Sequence, residues 1–167
     1  MLLSLGKILD QPGGVVPFSV ELDRSDMEFG GQYPATEKVL ATGQVRNEAG
    51  VLILTGTLDT TLHCVCDRCA APFDRPFHHD LEAVLVPELA SEQNEDENTF
   101  VLKEDAADLE EILNTAFVLN MDARFLCRED CLGICPTCGK DLNDGPCDCK
   151  PEPDPRWAAL KQLLADQ

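Results

Sequence analysis

Lys38-Val-Leu40-Ala-Thr42-Gly-Gln44-Val-Arg46, the tetrad Asn47-Glu-Ala-Gly50, and Val51-Leu-Ile-Leu54-Thr-Gly-Thr57 form the stretch that decides the fold of this 167-residue chain. Apolar and polar residues alternate before the tetrad and an apolar-rich arm follows it. The Asn and Gly between them supply turn chemistry, which makes the stretch an antiparallel hairpin. The second arm continues at period two through Leu58, Thr60, Leu62, Cys64 and Cys66. Upstream, Phe18-Ser-Val20-Glu-Leu22 alternates in the same way. Beyond a turn over Cys66–Pro72, Phe77, His79, Leu81, Ala83 and Leu85 form a further series before Pro87. The expectation is an antiparallel β-meander or partly closed barrel, with Gly56 marking a bulge in a long strand.

The character of the chain then changes. Residues 87–111 are strongly acidic, with Lys103 the one base, and Ser91–Asn98 holds no apolar residue, so 88–98 reads as an acidic loop. Phe100-Val101-Leu102 fits a short returning strand. Asp108 and Glu111 have capping-box spacing, and Leu109, Ile112, Leu113, Ala116 and Phe117 recur at helical intervals, which predicts a helix ending near Asn120. A last helix is signalled by Asp154 as N-cap and Pro155 at the first helical position, with Trp157, Leu160 and Leu164 along one face. The fold class is therefore α+β: strands, a helix, a cysteine-rich zinc knuckle, and a C-terminal helix. Residues 1–103 form the β-rich part with its acidic loop. Residues 104–167 form the helix, knuckle and final helix packed upon it, the two parts making one structural unit.

Composition narrows the function. A hydrophobic share of 44% supports a core, but aromatics are only 5%, so aliphatic side chains must do most of the packing. No apolar run approaches the roughly 18 residues of a membrane span. Met1–Asp10 lacks the parts of a secretory signal, so a cytoplasmic protein is expected. The net charge is −18, from 13 basic and 31 acidic residues. Such a chain has few cations with which to displace counterions from phosphate, which opposes direct binding of naked RNA. The charge suits either a solvated surface or a basic protein partner.

Nine cysteines in a reducing compartment point to metal ligation over a disulfide framework. Cys135-Pro-Thr-Cys138-Gly139 is the most specific element, since two thiolates so spaced can grip one tetrahedral ion while turn amides face the sulfurs. Cys147-Asp-Cys149 completes a four-thiolate shell after an eight-residue loop. Zinc is the default ion, although iron–sulfur ligation uses the same residue types. Cys127 and Cys131 have three readings. They replace the last pair in that shell, stay as reduced thiols beside it, or join Cys66-Asp-Arg-Cys69 as a second metal site or thiol pair. Cys64 reads as a core residue.

Signals for catalysis are poor, and no catalytic residue is assigned. His63, His78 and His79 fall in predicted strands, and neither a phosphate-cradling glycine loop nor a Walker-type lysine is present. A non-enzymatic binding or assembly factor is the leading class. The alternative is a redox-sensitive zinc chaperone or thiol oxidoreductase, suggested by the close pairs Cys66/Cys69 and Cys147/Cys149. An RNA-modifying or RNA-cleaving enzyme ranks last.

Several segments resemble the YceD family. They are Asp108-Leu-Glu-Glu-Ile, the run Leu126-Cys-Arg-Glu-Asp-Cys-Leu-Gly-Ile-Cys-Pro-Thr-Cys-Gly-Lys-Asp-Leu-Asn143, Cys147-Asp-Cys149, and Asp154-Pro-Arg-Trp-Ala-Ala-Leu160. Upstream, Cys66-Asp-Arg-Cys-Ala-Ala-Pro-Phe73 is similar to that family's cysteine–arginine–cysteine turn. The resemblance implies a role in accumulation of 23S ribosomal RNA, through its synthesis, processing or stability. Taken with the charge of −18, that role makes a basic large-subunit ribosomal protein or a pre-ribosomal particle the expected partner. Residues 120–123, Asn-Met-Asp-Ala, depart from the family's proline-containing helix exit.

Overall fold

The computed structural model describes residues 1–87 and 98–149. The acidic loop 88–98, apart from Asn98, and the final helix marked by Asp154, Trp157, Leu160 and Leu164 lie outside the described residues.

The hairpin read from residues 38–57 is the centre of a five-stranded sheet. Strands β2 (Val15–Leu22), β3 (Val39–Glu48), β4 (Val51–Val65) and β5 (Pro72–Val86) are adjacent and antiparallel, and β6 (Thr99–Val101) adds to β5 in parallel. The tetrad narrows to a two-residue loop, Ala49-Gly50, because Glu48 already pairs with Val51. Both loop residues have positive φ, 54° and 97°, the backbone that matches the twist of a tight hairpin. The predicted returning strand is present one residue earlier than expected, and it runs parallel.

Among the described residues the sheet is open, with β2 and β6 at its edges. Pro17 sits in the edge strand β2. Pro76 lies in a part of β5 beyond the reach of β6, which pairs only with Val84–Val86. Prolines are tolerated there because an edge residue has no second neighbour waiting for its amide.

Gly56 does not mark a bulge. Its pairing runs without interruption to Gly43 on one side and Leu81 on the other. Glycine is needed because the two backbones nearly touch: a Cβ on Gly56 would lie 2.3 Å from the Thr42 carbonyl oxygen, and one on Gly43 would lie 2.3 Å from that of Thr55.

The inner face of the sheet carries Val39, Ala41, Val45, Leu54, Leu58 and Leu62, all fully buried. Against it lies α2 (Leu109–Leu119), which buries Leu109, Ile112, Leu113 and Phe117. The Phe117 ring meets Phe77 and Phe29 edge-on, with centroids 5.2 and 5.9 Å away. Burial of a side chain such as Leu113 or Phe117 stabilises by about 1.5–3 kcal/mol. Asp108 caps the helix, accepting from the Glu110 N–H at 3.1 Å, while Glu111 pairs with Lys103. The short strands β1 (Leu2–Ser4) and β7 (Ala106–Asp108) pair antiparallel, and a four-residue helix α1 (Gly6–Leu9) follows β1. Helix and sheet share one buried cluster that includes Leu5, Leu58, Leu113 and Phe125.

Candidate metal centres

The longest hairpin places the first group of sulfurs. Strand β4 ends at Val65 and β5 begins at Pro72, so Cys66–Ala71 is the loop between them. Within it the Cys66 N–H donates to the Ala71 carbonyl at 2.9 Å, and the Ala70 N–H donates to the Cys66 carbonyl at 2.9 Å. The same turn recurs at Cys135–Lys140. There the Cys135 N–H donates to the Lys140 carbonyl at 2.8 Å and the Gly139 N–H to the Cys135 carbonyl at 2.9 Å. The residue after the second cysteine has positive φ in both turns, 58° at Ala70 and 73° at Gly139. The upstream C-x-x-C, weak as a sequence signal, thus has the same backbone as the specific one downstream.

The residues between Cys66 and Cys69 dock the segment that follows α2. Asp67 donates its N–H to the Phe125 carbonyl and accepts the Phe125 N–H on its carboxylate, each at 2.8 Å. Arg68 donates to the carbonyls of Cys131 at 2.8 Å and Glu129 at 3.3 Å, and its own carbonyl accepts the Ile134 N–H at 3.1 Å. Gly133, with φ 75°, passes so close that a Cβ would sit 2.9 Å from the Arg68 carbonyl oxygen. These bonds carry Cys127 and Cys131 onto the hairpin loop.

Two groups of four sulfurs result, Cys66/Cys69/Cys127/Cys131 and Cys135/Cys138/Cys147/Cys149, with all Sγ atoms of each group within 4.8 Å of one another. Of the three readings left open for Cys127 and Cys131, the structure places this pair with Cys66 and Cys69. Cys64 lies buried in the main core, where burial raises its thiol pKa.

Asn143 joins the two groups. It belongs to the 3-10 turn Leu142–Asp144, in the loop between Cys138 and Cys147, yet its side-chain amide donates to Cys131 Sγ at 3.5 Å. Its Oδ1 accepts from the Leu132 N–H at 2.8 Å and from Arg128 at 2.6 Å. Composition and cysteine spacing gave no role to Asp67, Arg68 or Asn143. The available signal was their position inside the cysteine motifs.

The donor chemistry fits a soft divalent ion. Cys66 and Cys131 Sγ are 3.8 Å apart, and Cys69 and Cys127 Sγ are 3.7 Å apart. A tetrahedron with zinc–sulfur bonds of about 2.3 Å has an edge of about 3.8 Å, whereas a disulfide needs about 2.05 Å. All nine cysteines are free thiols. Proton affinities within each group diverge. Burial pushes the Cys66 thiol up, but the amides of Cys127, Cys69 and Arg68 outweigh it and hold the pKa at about 6. Burial, and then the neighbouring Cys66, Cys69 and Cys131, push Cys127 to about 12. In the second group the Cys138 and Thr137 amides bring Cys135 to about 6. The Cys138 thiol, then burial, raises Cys149 to about 12. One sulfur per group ionises readily and another resists, as crowded anions do until a cation neutralises them.

The histidines sit elsewhere. His63 and His78 face outward on β4 and β5, paired with Asp74 at 2.7 Å and Asp59 at 2.6 Å. His79 is on the inner face of β5, beside the cleft between that strand and α2. Among the described residues no helix is long and apolar enough to cross a membrane.

Comparison with known proteins gives consistent results. Three mycobacterial proteins described as uncharacterized, one from Mycobacterium bovis and two from strains of Mycobacterium tuberculosis, are 32% identical to the chain over 120 residues. The match covers 71% of this chain and 58% of each relative, so the chain aligns with little more than half the length of these relatives. No solved structure matches. Residues 54–164, which include all nine cysteines, match the family described as large ribosomal RNA subunit accumulation protein YceD. The chain belongs to the YceD family.

Proposed function

We propose that this protein is a non-enzymatic, cytoplasmic factor of large-subunit ribosome biogenesis, supporting the synthesis, processing or stability of 23S rRNA. It acts by holding a basic ribosomal protein or an assembly intermediate, and zinc on Cys135, Cys138, Cys147 and Cys149 shapes its C-terminal knuckle. The observation that carries this reading is the four-sulfur group itself. An ion with four thiolate ligands has no open position for water or substrate, so its chemistry is scaffolding. Family membership supplies the ribosomal context. The charge of −18 supplies the choice of partner, since it attracts basic protein and repels phosphate. Residues 1–103 and 104–167 are taken as one working unit, a reading supported by the buried cluster that sheet and helix share.

The test is binding of the purified, metal-loaded chain to individual large-subunit ribosomal proteins and to naked 23S rRNA across a salt series. Binding to one or more basic proteins that weakens as salt rises supports the proposal. Tight binding to the naked RNA at physiological salt, with no protein bound, rejects it.

A second reading, a redox-sensitive zinc chaperone or thiol oxidoreductase, draws on the exposure of Cys138 within the knuckle. It requires mild peroxide to release the metal and expose apolar surface. Unchanged metal content and unchanged dye binding after that treatment remove it.

A further inference from the structure

We infer that the chain carries a second structural metal site for a zinc-like ion, formed by Cys66, Cys69, Cys127 and Cys131 at the open end of the β4–β5 hairpin. The knuckle in the functional proposal uses the other four sulfurs, so either site can fail without the other.

Three independent observations support the inference. The first is geometric. The four Sγ atoms lie within 4.8 Å of one another, and the cross-pairs Cys66–Cys131 and Cys69–Cys127 stand at 3.8 and 3.7 Å. Those separations match the edge of a zinc–thiolate tetrahedron, about 3.8 Å, and they bridge cysteines 65 and 58 residues apart in sequence.

The second is the surroundings of the sulfurs. The Asn143 side chain donates to Cys131 Sγ at 3.5 Å, and Cys66–Ala71 forms the same hydrogen-bonded turn as Cys135–Lys140, with Cys66 N–H donating to the Ala71 carbonyl and Ala70 N–H to the Cys66 carbonyl. A side-chain amide donating to a sulfur, beside a turn that repeats that of the C-x-x-C downstream, is the outer support expected around metal thiolates. An ordinary apolar contact has no use for it.

The third is composition of the packing. Among the described residues, Cys66, Cys69 and Cys131 form a small buried cluster separate from the main core, with Ala71, Phe73 and Leu126 packed against it. So little apolar surface cannot by itself offset the ordering of a long chain segment. A metal closing loops of this length can, because joining distant residues constrains the unfolded chain most. The site would therefore lock the segment after α2 onto the sheet.

Metal per chain, measured on the intact, reduced protein after exhaustive dialysis, tests the inference together with mass-mapped alkylation of its cysteines. Two zinc ions per chain are expected. Cys66, Cys69, Cys127 and Cys131 should resist alkylation until a chelator is added, and cadmium substitution should give two distinct cadmium NMR signals. Cys69→Ser should lower the content from two ions to one while leaving Cys135 and Cys138 protected. The intact-chain alkylation decides the matter if that variant does not fold. One ion per chain, with these four cysteines alkylated at the same rate with and without chelator, overturns the inference. One ion with only these four protected upholds it, and removes instead the zinc knuckle of the functional proposal.

Discussion

Ala70 and Gly139 occupy the same place in two copies of one turn, at φ 58° and 73°, and only one of them is glycine. A side chain in this left-handed region costs about 1–2 kcal/mol, part of which glycine gives back through its freer unfolded state. Ala70→Gly should therefore raise stability by up to about 1 kcal/mol, and Gly139→Ala should lower it by a similar amount. Space is not the obstacle at Gly139, where a Cβ would meet nothing within 4 Å. Urea midpoints of the metal-loaded proteins, with unchanged slopes, check both. The outward histidines offer a pH test. A hydrogen bond to Asp59, and then its charge, raises the His78 pKa above the ordinary value of 6.5. The pair's contribution to stability is therefore complete below the unfolded pKa and fades as pH climbs through the folded one. In Asp59→Asn the His78 pKa, followed by NMR, should fall back toward 6.5, and stability above neutral pH should change least. An unaltered titration would show that the pairing does not hold in solution.

At the level of elements, the long strands depend on backbone contact as much as on apolar side chains. The β3–β4 hairpin closes on Gly43 facing Gly56, where Cα approaches the position of a partner's Cβ at 2.8 Å. Gly56→Ala places a methyl 2.3 Å from the Thr42 carbonyl oxygen, and backbone cannot rotate aside as a side chain can. The expected cost is about 3 kcal/mol or more, seen as a lower thermal midpoint. Gly50→Ala places its methyl in open space and should cost only its net φ penalty, about 1 kcal/mol. Equal losses at the two positions would contradict the close-approach account. Helix α2 was legible in the sequence because all its cues agree: the Asp108 cap, the three-to-four spacing and the end near Asn120. The reading of Gly56 as a bulge failed because sequence shows that a residue lacks a side chain, and not what would strike one.

On the scale of the whole molecule, two kinds of cohesion divide the chain. The sheet, α2 and Phe125 are held by a continuous aliphatic and aromatic core, whereas residues 126–149 gather around the two sulfur groups, the bonds of Arg68, and Asn143. Chelation of a metal-loaded sample should thus raise amide exchange through 66–71 and 125–149 while β3, β4 and β5 keep their protection. Global unfolding on chelation would show that the aliphatic core is not self-sufficient. Asn143→Leu should speed metal loss from the Cys66 group, because it removes the donor at Cys131 Sγ and the acceptor that holds Leu132. A chelator time course with mass-mapped alkylation would show Cys66 and Cys69 becoming reactive earlier. The same variant with unchanged kinetics would mean that the two sulfur groups act independently.

The sequence alone determined the order of strands β2 to β5, helix α2, the metal-ligand spacing of the cysteines and the family resemblance, because each rests on local periodicity or short spacing. Tertiary structure decided which sulfurs share a group, since Cys66 and Cys131 lie 65 residues apart and meet only once Asp67 and Arg68 have docked the later segment. It also decided why Gly43 and Gly56 are glycines and how β6 joins the sheet. Local pattern is written along the chain. Contact between distant backbones depends on how the elements pack, and a single sequence does not display that.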